Sequence, residues 1–324
     1  MVAIVDPSGP RLAVVPSNPV PQGARIGYLL TSDRVRLRYG IWPKTAGPSR
    51  GTVCLVHGRT EFIEKYFETI SDFQKRGFTV ATFDWRGQGG SERFLRNRKL
   101  GHVDTFDDYW CDLKSFHTEV LLPDCPPPFY LVGHSMGGLV CLFAGARDRM
   151  MFDRMFLSAP MISINAPVSI AALANIAGAL SVAGLGGLPI RRREDKPPTE
   201  QSFATNPLTS DRSRYMRTVD VLKADPTLEI ASPTIGWTAA AARAMHAAEG
   251  ETFPNSIRIP VLMLAAARDE VVLSPATESL GLRMRNGRHA VVAAARHELF
   301  QESNAIREQM FAAFDAFVTE LTPP

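Results

Sequence analysis

The pentapeptide Gly133-His134-Ser135-Met136-Gly137 lies between an apolar run, Phe129 to Val132, and a run with helical spacing, Met136 to Arg149. On a sharp strand-to-helix turn a serine is held in strained backbone geometry, and larger residues in place of the flanking glycines would strike the neighbouring strand and helix. The turn also sets the hydroxyl at a helix N-terminus, where the dipole favours developing negative charge. Ser135 is therefore the candidate nucleophile. The bare G-x-S-x-G pattern is a weak signal, and its context is what gives it weight.

A serine hydroxyl is too weak an acid to attack an ester unaided, so a base and an orienting carboxylate are required. In a parallel sheet such residues collect in the loops after the carboxyl ends of strands. Of the seven histidines, His297 in AAARHELF follows the last apolar run and is the candidate base, whereas His289 stands at that run's start, the wrong end of the sheet. His134 adjoins the serine but points elsewhere on such a turn, and His102, His117 and His246 occupy no strand end. Asp269 in VLMLAAARDEVV follows the preceding strand and is the candidate acid, with Glu270 its close competitor. The order Ser, Asp, His is that of α/β-hydrolases. For the oxyanion, the donors are the backbone N–H of Met136, next after the nucleophile, and that of Arg59, where His57-Gly58 lets the chain turn closely after GTVCLV.

The elements that must position these residues are readable as runs. Strands are expected at 25–31, 35–42, 51–56, 78–83, 129–132, 152–158, 260–265 and 289–294, and helices at 63–76, 105–122, 136–149, 275–285 and 304–321. Continuously apolar strands alternating with helices predict an α/β fold with a mostly parallel central sheet covered on both faces. Residues 1–24 hold Pro7, Pro10, Pro16, Pro19 and Pro21 and read as an extended, poorly packed tail. The alternation stops over 161–254 and resumes afterwards, which predicts a discontinuous core, 25–160 with 255–324, carrying a helical cap insertion. Its first part lies within an uncharged stretch, Ala159 to Ile190. That stretch is long enough to cross a bilayer of about 30 Å. Its Ala, Gly and Ser content, Asn165, Asn175 and Pro167 argue instead for lid helices, one face over the Ser135 pocket and the other free to rest on lipid.

Composition narrows the function classes. The 324 residues are 45% hydrophobic with a formal net charge of +3, and the arginines are scattered, so nucleic acid is not an expected partner. Cys54, Cys111, Cys125 and Cys141 have no CxxC spacing and read as reduced, mostly buried thiols; no metal site and no cofactor is expected. The N-terminus MVAIVDPSGP makes a poor secretory signal, leaving a cytoplasmic location as the default. The turn Arg86-Gly87-Gln88-Gly89 lacks a P-loop ending and reads as structural. The basic stretches RFLRNRK (93–99) and Arg191-Arg192-Arg193 are short and read as solvated loop rather than headgroup contacts.

The motifs HGRTEFIEKYFE (57–68), FDWRGQGGSER (83–93), GHVDTFDDYWCDL (101–113), GHSMGG (133–138), ARDEVV (267–272) and ARHELFQE (295–302), in that order, resemble the bacterial lysophospholipase and monoacylglycerol lipase group of α/β-hydrolases, with the S33-type hydrolase domain. The resemblance runs from about Gly27 to the C-terminus and implies Ser135, Asp269 and His297 as the catalytic residues and the interval before Pro260 as the lid. One departure stands out: the lipase form of the oxyanion loop reads HGxGE, and here Thr60 replaces the second glycine. The expected activity is hydrolysis of the carboxylic ester of a single-chain lipid, a lysophospholipid or monoacylglycerol. Alternatives on the same three residues are a proline-iminopeptidase-like aminopeptidase, which needs cap carboxylates that the uncharged stretch lacks, and a short-chain carboxylesterase. A degenerate, non-enzymatic hydrolase fold is disfavoured because all three residues are retained.

Overall fold

A computed structural model of the chain describes residues 9–190 and 202–319. Its order is β1 (Arg25–Leu30), β2 (Arg36–Trp42), β3 (Thr52–Val56), α1 (Phe67–Lys75), β4 (Thr79–Phe83), α2 (Asp107–Phe116), α3 (Leu122–Asp124), β5 (Phe129–His134), α4 (Met136–Arg147) and β6 (Arg154–Ser158). Next come α5 (Ile170–Leu180), α6 (Arg212–Ala224), α7 (Ile235–Glu249) and α8 (Phe253–Ser256). The chain closes with β7 (Val261–Ala266), α9 (Ser274–Arg283), β8 (Gly287–Val292) and α10 (Asn304–Thr319). The strands form one sheet in the order β1-β2-β4-β3-β5-β6-β7-β8. Strand β2 is antiparallel to β1 and β4, and all other pairings are parallel.

Every residue of β3, β4 and β6 is buried, the consequence of helices on both faces. Neighbouring residues of β6 make this concrete, since successive side chains point to opposite faces. Phe156 meets Phe314 of α10 at 5.3 Å between ring centroids, while Met155 lies against Gly145 of α4, so α10 and α4 cover opposite faces. Phe73 of α1 packs on Phe311 and Phe314 at 5.3 and 5.0 Å, joining the N-terminal half of the core to its last helix.

Strands β6 and β7 pair directly, so the chain leaves the sheet after β6 and returns to the adjacent position. Helix α5 is started by Ser169, whose Oγ accepts the Ala172 N–H, and α7 by Thr234, whose Oγ1 accepts the Trp237 N–H. The two helices pack on one another, α5 burying Ile170, Ala174 and Ala177. Among the described residues no helix is long and apolar enough to cross a membrane.

Two expectations need correction. The proline-rich segment packs at alternate residues: Ala13 and Val15 are buried with Phe62, Val221, Leu222 and Leu228, and the Ala13 N–H donates to Glu64 Oε1 at 3.0 Å. Prolines keep the backbone extended, but extended backbone can still lie on a surface and bury alternate side chains. The last strand begins at Gly287 rather than His289, because pairing with Val261 sets its register and not the apolar run. The Arg191-Arg192-Arg193 stretch lies outside the described residues.

Candidate active site

The parallel strands β3, β5, β7 and β8 end along one edge, and the loops leaving them meet there. Ser135 follows β5 with φ 51° and ψ −118°, a conformation that costs about 1–3 kcal/mol for a residue with a Cβ. The elbow is held on both sides: the Ser135 N–H donates to Ser158 O at 3.0 Å, and its carbonyl accepts the Met161 N–H at 2.9 Å. A Cβ on Gly137 would stand 2.5 Å from the His57 carbonyl oxygen, and one on Gly133 2.6 Å from Cys141 Sγ. The elbow therefore needs glycine at both positions.

His297, in the loop after β8, places Nε2 3.0 Å from Ser135 Oγ and Nδ1 2.8 Å from Asp269 Oδ2. The other Asp269 oxygen accepts the N–H groups of Val271 and Val272 at 2.8 and 2.9 Å. Burial alone would raise the Asp269 pKa, but the His297 hydrogen bond and charge and these two N–H groups hold it below its ordinary value. Glu270 points to solvent as the carboxylate of its neighbour turns inward. The arrangement can accept a proton from Ser135 and stabilise the imidazolium that results.

The loop after β3 lies against the serine: a Cβ on Gly58 would be 3.1 Å from Ser135 Cβ. Arg59 sits between two tethered peptides, since the Gly58 N–H donates to Glu61 Oε2 at 2.5 Å and the Thr60 N–H to Gln88 Oε1 at 2.7 Å. Thr60 has φ 63°, the region where glycine is unstrained, which accounts for the glycine of the HGxGE form; the threonine adopts it nonetheless. Met136 opens α4, so its N–H is one of those that a helix cannot satisfy internally. The Arg59 side chain turns away from the loop: Nη2 donates to Ala231 O at 2.7 Å and the guanidinium lies 5.0 Å from the Trp237 ring centroid, both in the β6–β7 interval.

His57 is part of this scaffold, with Nε2 3.2 Å from Asp84 Oδ1. Asp84 also accepts the N–H groups of Ile63 and Gly90 and pairs with Arg38. His134 packs on His297 with ring centroids 4.8 Å apart. Burial, together with the nearby charges of His297 and Lys65 and against that of Glu61, pushes its pKa down to about 4, so at neutral pH it adds no positive charge beside His297. His289 is remote, packed against Gly281 of α9. His102 bonds Thr234, His117 packs between Phe129 and Phe152, and His246 is exposed beside Glu249.

Three supporting residues escape the strand-end rule. Gln88 is buried, accepts the Thr60 N–H and sets its Nε2 3.8 Å from Met136 Sδ, so it touches Met136, one residue expected to supply an oxyanion donor, and Thr60, the neighbour of Arg59, the other. Lys65 and Glu298 form a buried ion pair between the loop after β3 and the loop of His297. Burial of polar side chains inside FIEKYFE, FDWRGQGG and HELF is the signal that would have singled them out, and burial is not written in local sequence.

The sequence pattern of the family described as "Serine aminopeptidase, S33" matches residues 47–304. Lysophospholipase L2 of Escherichia coli is 31% identical over 286 residues, covering 84% of this chain and 81% of that protein. A monoacylglycerol lipase of Mycolicibacterium smegmatis is 30% identical over 159 residues, 48% of this chain and 53% of its own length. Among solved structures, a soluble variant of monoglyceride lipase from Saccharomyces cerevisiae superposes with TM-score 0.71 at 19% identity, covering 91% of this chain and 95% of that one, which establishes the α/β-hydrolase fold.

Proposed function

Because the chain belongs to the serine aminopeptidase S33 family of α/β-hydrolases, we propose that it hydrolyses the carboxylic ester of single-chain lipids, lysophospholipids or monoacylglycerols, through an acyl-enzyme on Ser135. The observation that carries the mechanism is the continuous hydrogen-bonded line from Ser135 Oγ through His297 to Asp269. Ser135 Oγ attacks the acyl carbonyl as His297 Nε2 takes its proton. The N–H groups of Met136 and Arg59 receive the oxyanion, and Asp269 orients the imidazole and stabilises its charged form. His297 then protonates the departing alcohol and activates the water that releases the fatty acid. The named activities of the relatives support the substrate class.

The interval 161–254 acts as a lid. Ser135 and His297 are only 8% and 4% exposed, so an ester reaches them when the interval shifts. On the outside, Ile176, Leu180, Val182, Leu185 and Leu188 are exposed around α5 and the turn after it, Val182 by 92%. An apolar face of this kind rests favourably on a lipid surface, where the substrate resides.

Turnover of monoacyl esters of increasing chain length, with and without a phosphocholine headgroup and against a prolyl amide, tests the substrate class. Faster cleavage of the prolyl amide than of any monoacyl ester would refute it. Ser135→Ala is expected to abolish both turnover and labelling by a fluorophosphonate; retention of either would refute the mechanism.

A further inference from the structure

Away from Ser135, a pocket of about 290 Å³ is bordered by the N-terminal segment, β1, β2, the loop after β4 and the turn after α6. Arg11, Arg36, Arg38, Arg93 and Arg98 line it, against the carboxylates of Glu92 and Asp225. The charge of Arg38 is answered by Asp84 and Glu64. That of Arg93 is not. Arg93 is 9% exposed, and its Nη1 donates to Arg98 O at 2.9 Å and its Nη2 to the carbonyls of Gly89 and Thr227 at 2.8 and 3.1 Å. Its Nε has no acceptor and no carboxylate pairs with it among the described residues. Burial, with Arg98 and Arg38 adding to it and Asp84 opposing it, pushes the guanidinium down to about 10. The expected solvated loop at 93–99 is thus corrected at its first residue.

Carbonyl dipoles do not cancel a full buried charge, and a guanidinium that retains a free N–H is matched by an oxyanion. Arg36 and Arg98 are exposed at the rim, Arg36 lying over the Tyr28 ring at 4.6 Å. We propose that this pocket binds a phosphate group, held by Arg93 from the floor and by Arg36 and Arg98 from the rim. Planar guanidinium forks approaching from several directions suit a tetrahedral anion with several acceptor oxygens better than a carboxylate with two. The volume leaves room for the ester substituent of a phosphate as well as for the free ion. The inference rests on the arginines and is independent of the ester-hydrolase reading.

The test uses the full chain, inorganic phosphate in calorimetric titration at low ionic strength, and vesicles of phosphatidylcholine with or without phosphatidic acid. Saturable phosphate binding that weakens at least ten-fold in R36Q/R98Q is expected. The control R258Q/R285Q removes the same charge from exposed positions at the opposite end of the sheet and is expected to bind like the wild type. Because Arg93 is structural as well, R93M is read only alongside the rim pair. Vesicle binding that requires phosphatidic acid, fails in R36Q/R98Q and is competed by phosphate assigns a lipid headgroup; phosphate binding without it assigns the free ion. If neither ligand loses more affinity in R36Q/R98Q than in R258Q/R285Q, the proposal is overturned.

Discussion

Lys65 Nζ lies 2.5 Å from Glu298 Oε1 and 2.9 Å from Glu61 Oε1, with all three side chains buried. Glu61 orients the Gly58 peptide and accepts from Tyr66, and Glu298 adjoins His297, so one cation fastens the loop after β3 to the loop of His297. Lys65→Met leaves two carboxylates without their cation and should destabilise the fold by about 3–5 kcal/mol in urea denaturation. Lys65→Met/Glu298→Gln should recover a large part of that loss, since Glu61 keeps its partners in Gly58 and Tyr66. A double variant no more stable than the single one would show that the pair is not the link.

Asp269→Asn should lower kcat on a short soluble ester by about 10³–10⁴-fold, because the amide favours the wrong His297 tautomer. Glu270→Gln, exposed and turned outward, should stay within about two-fold of the wild type by the same assay. Reversed effects would make Glu270 the acid.

Gln88→Ala removes the acceptor of the Thr60 N–H and the neighbour of Met136 Sδ. Both residues flank the proposed oxyanion site, whose hydrogen bonds strengthen in the transition state. The expected loss is about 10–100-fold in kcat with KM nearly unchanged. A change confined to KM would place Gln88 in substrate binding instead.

His134 carries a folded pKa of about 4 against an ordinary value of 6.5, so between these values the unfolded chain binds a proton that the native protein does not. Stability therefore falls as pH drops from 6.5 toward 4, by up to about 3 kcal/mol from this group. Asp269, held below its ordinary value, loses its contribution as pH falls further. His134→Gln should flatten the decline between pH 6.5 and 4.5 in denaturant titrations, and an unchanged slope would assign the acid sensitivity elsewhere.

On the proposed lid, Val182→Asp and Ile176→Asp should impair hydrolysis of long-chain esters presented on vesicles by about ten-fold, leaving short soluble esters unaffected. The charge belongs at these exposed positions, because Ala177 is buried against α7 and Ala177→Asp would unseat α5 for every substrate. Equal losses on both ester types from Val182→Asp would refute the lipid-facing role.

Much of the sheet is legible in the sequence, because a strand buried on both faces must be apolar throughout and a helix must repeat its apolar residues every three or four. TVCLV, TVATF and the MFL of RMFLS follow from that constraint, and so do the loop positions of Ser135, Asp269 and His297 just beyond strand ends. Which charged groups would be buried, and against what, is not encoded locally. Arg93 belongs to a basic stretch that reads as solvated, yet it forms the floor of a pocket because Gly89 and Thr227, 134 residues beyond it, close over it. Ala13 and Val15 sit in a proline-rich segment and still pack, because Phe62 and α6 arrive from distant parts of the chain to cover them. Periodicity is a property of neighbours along the backbone and can be read from them. The partner of a buried charge, whether Lys65 with Glu298 or His297 with Asp269, is a property of neighbours in space, and only the tertiary structure decides it.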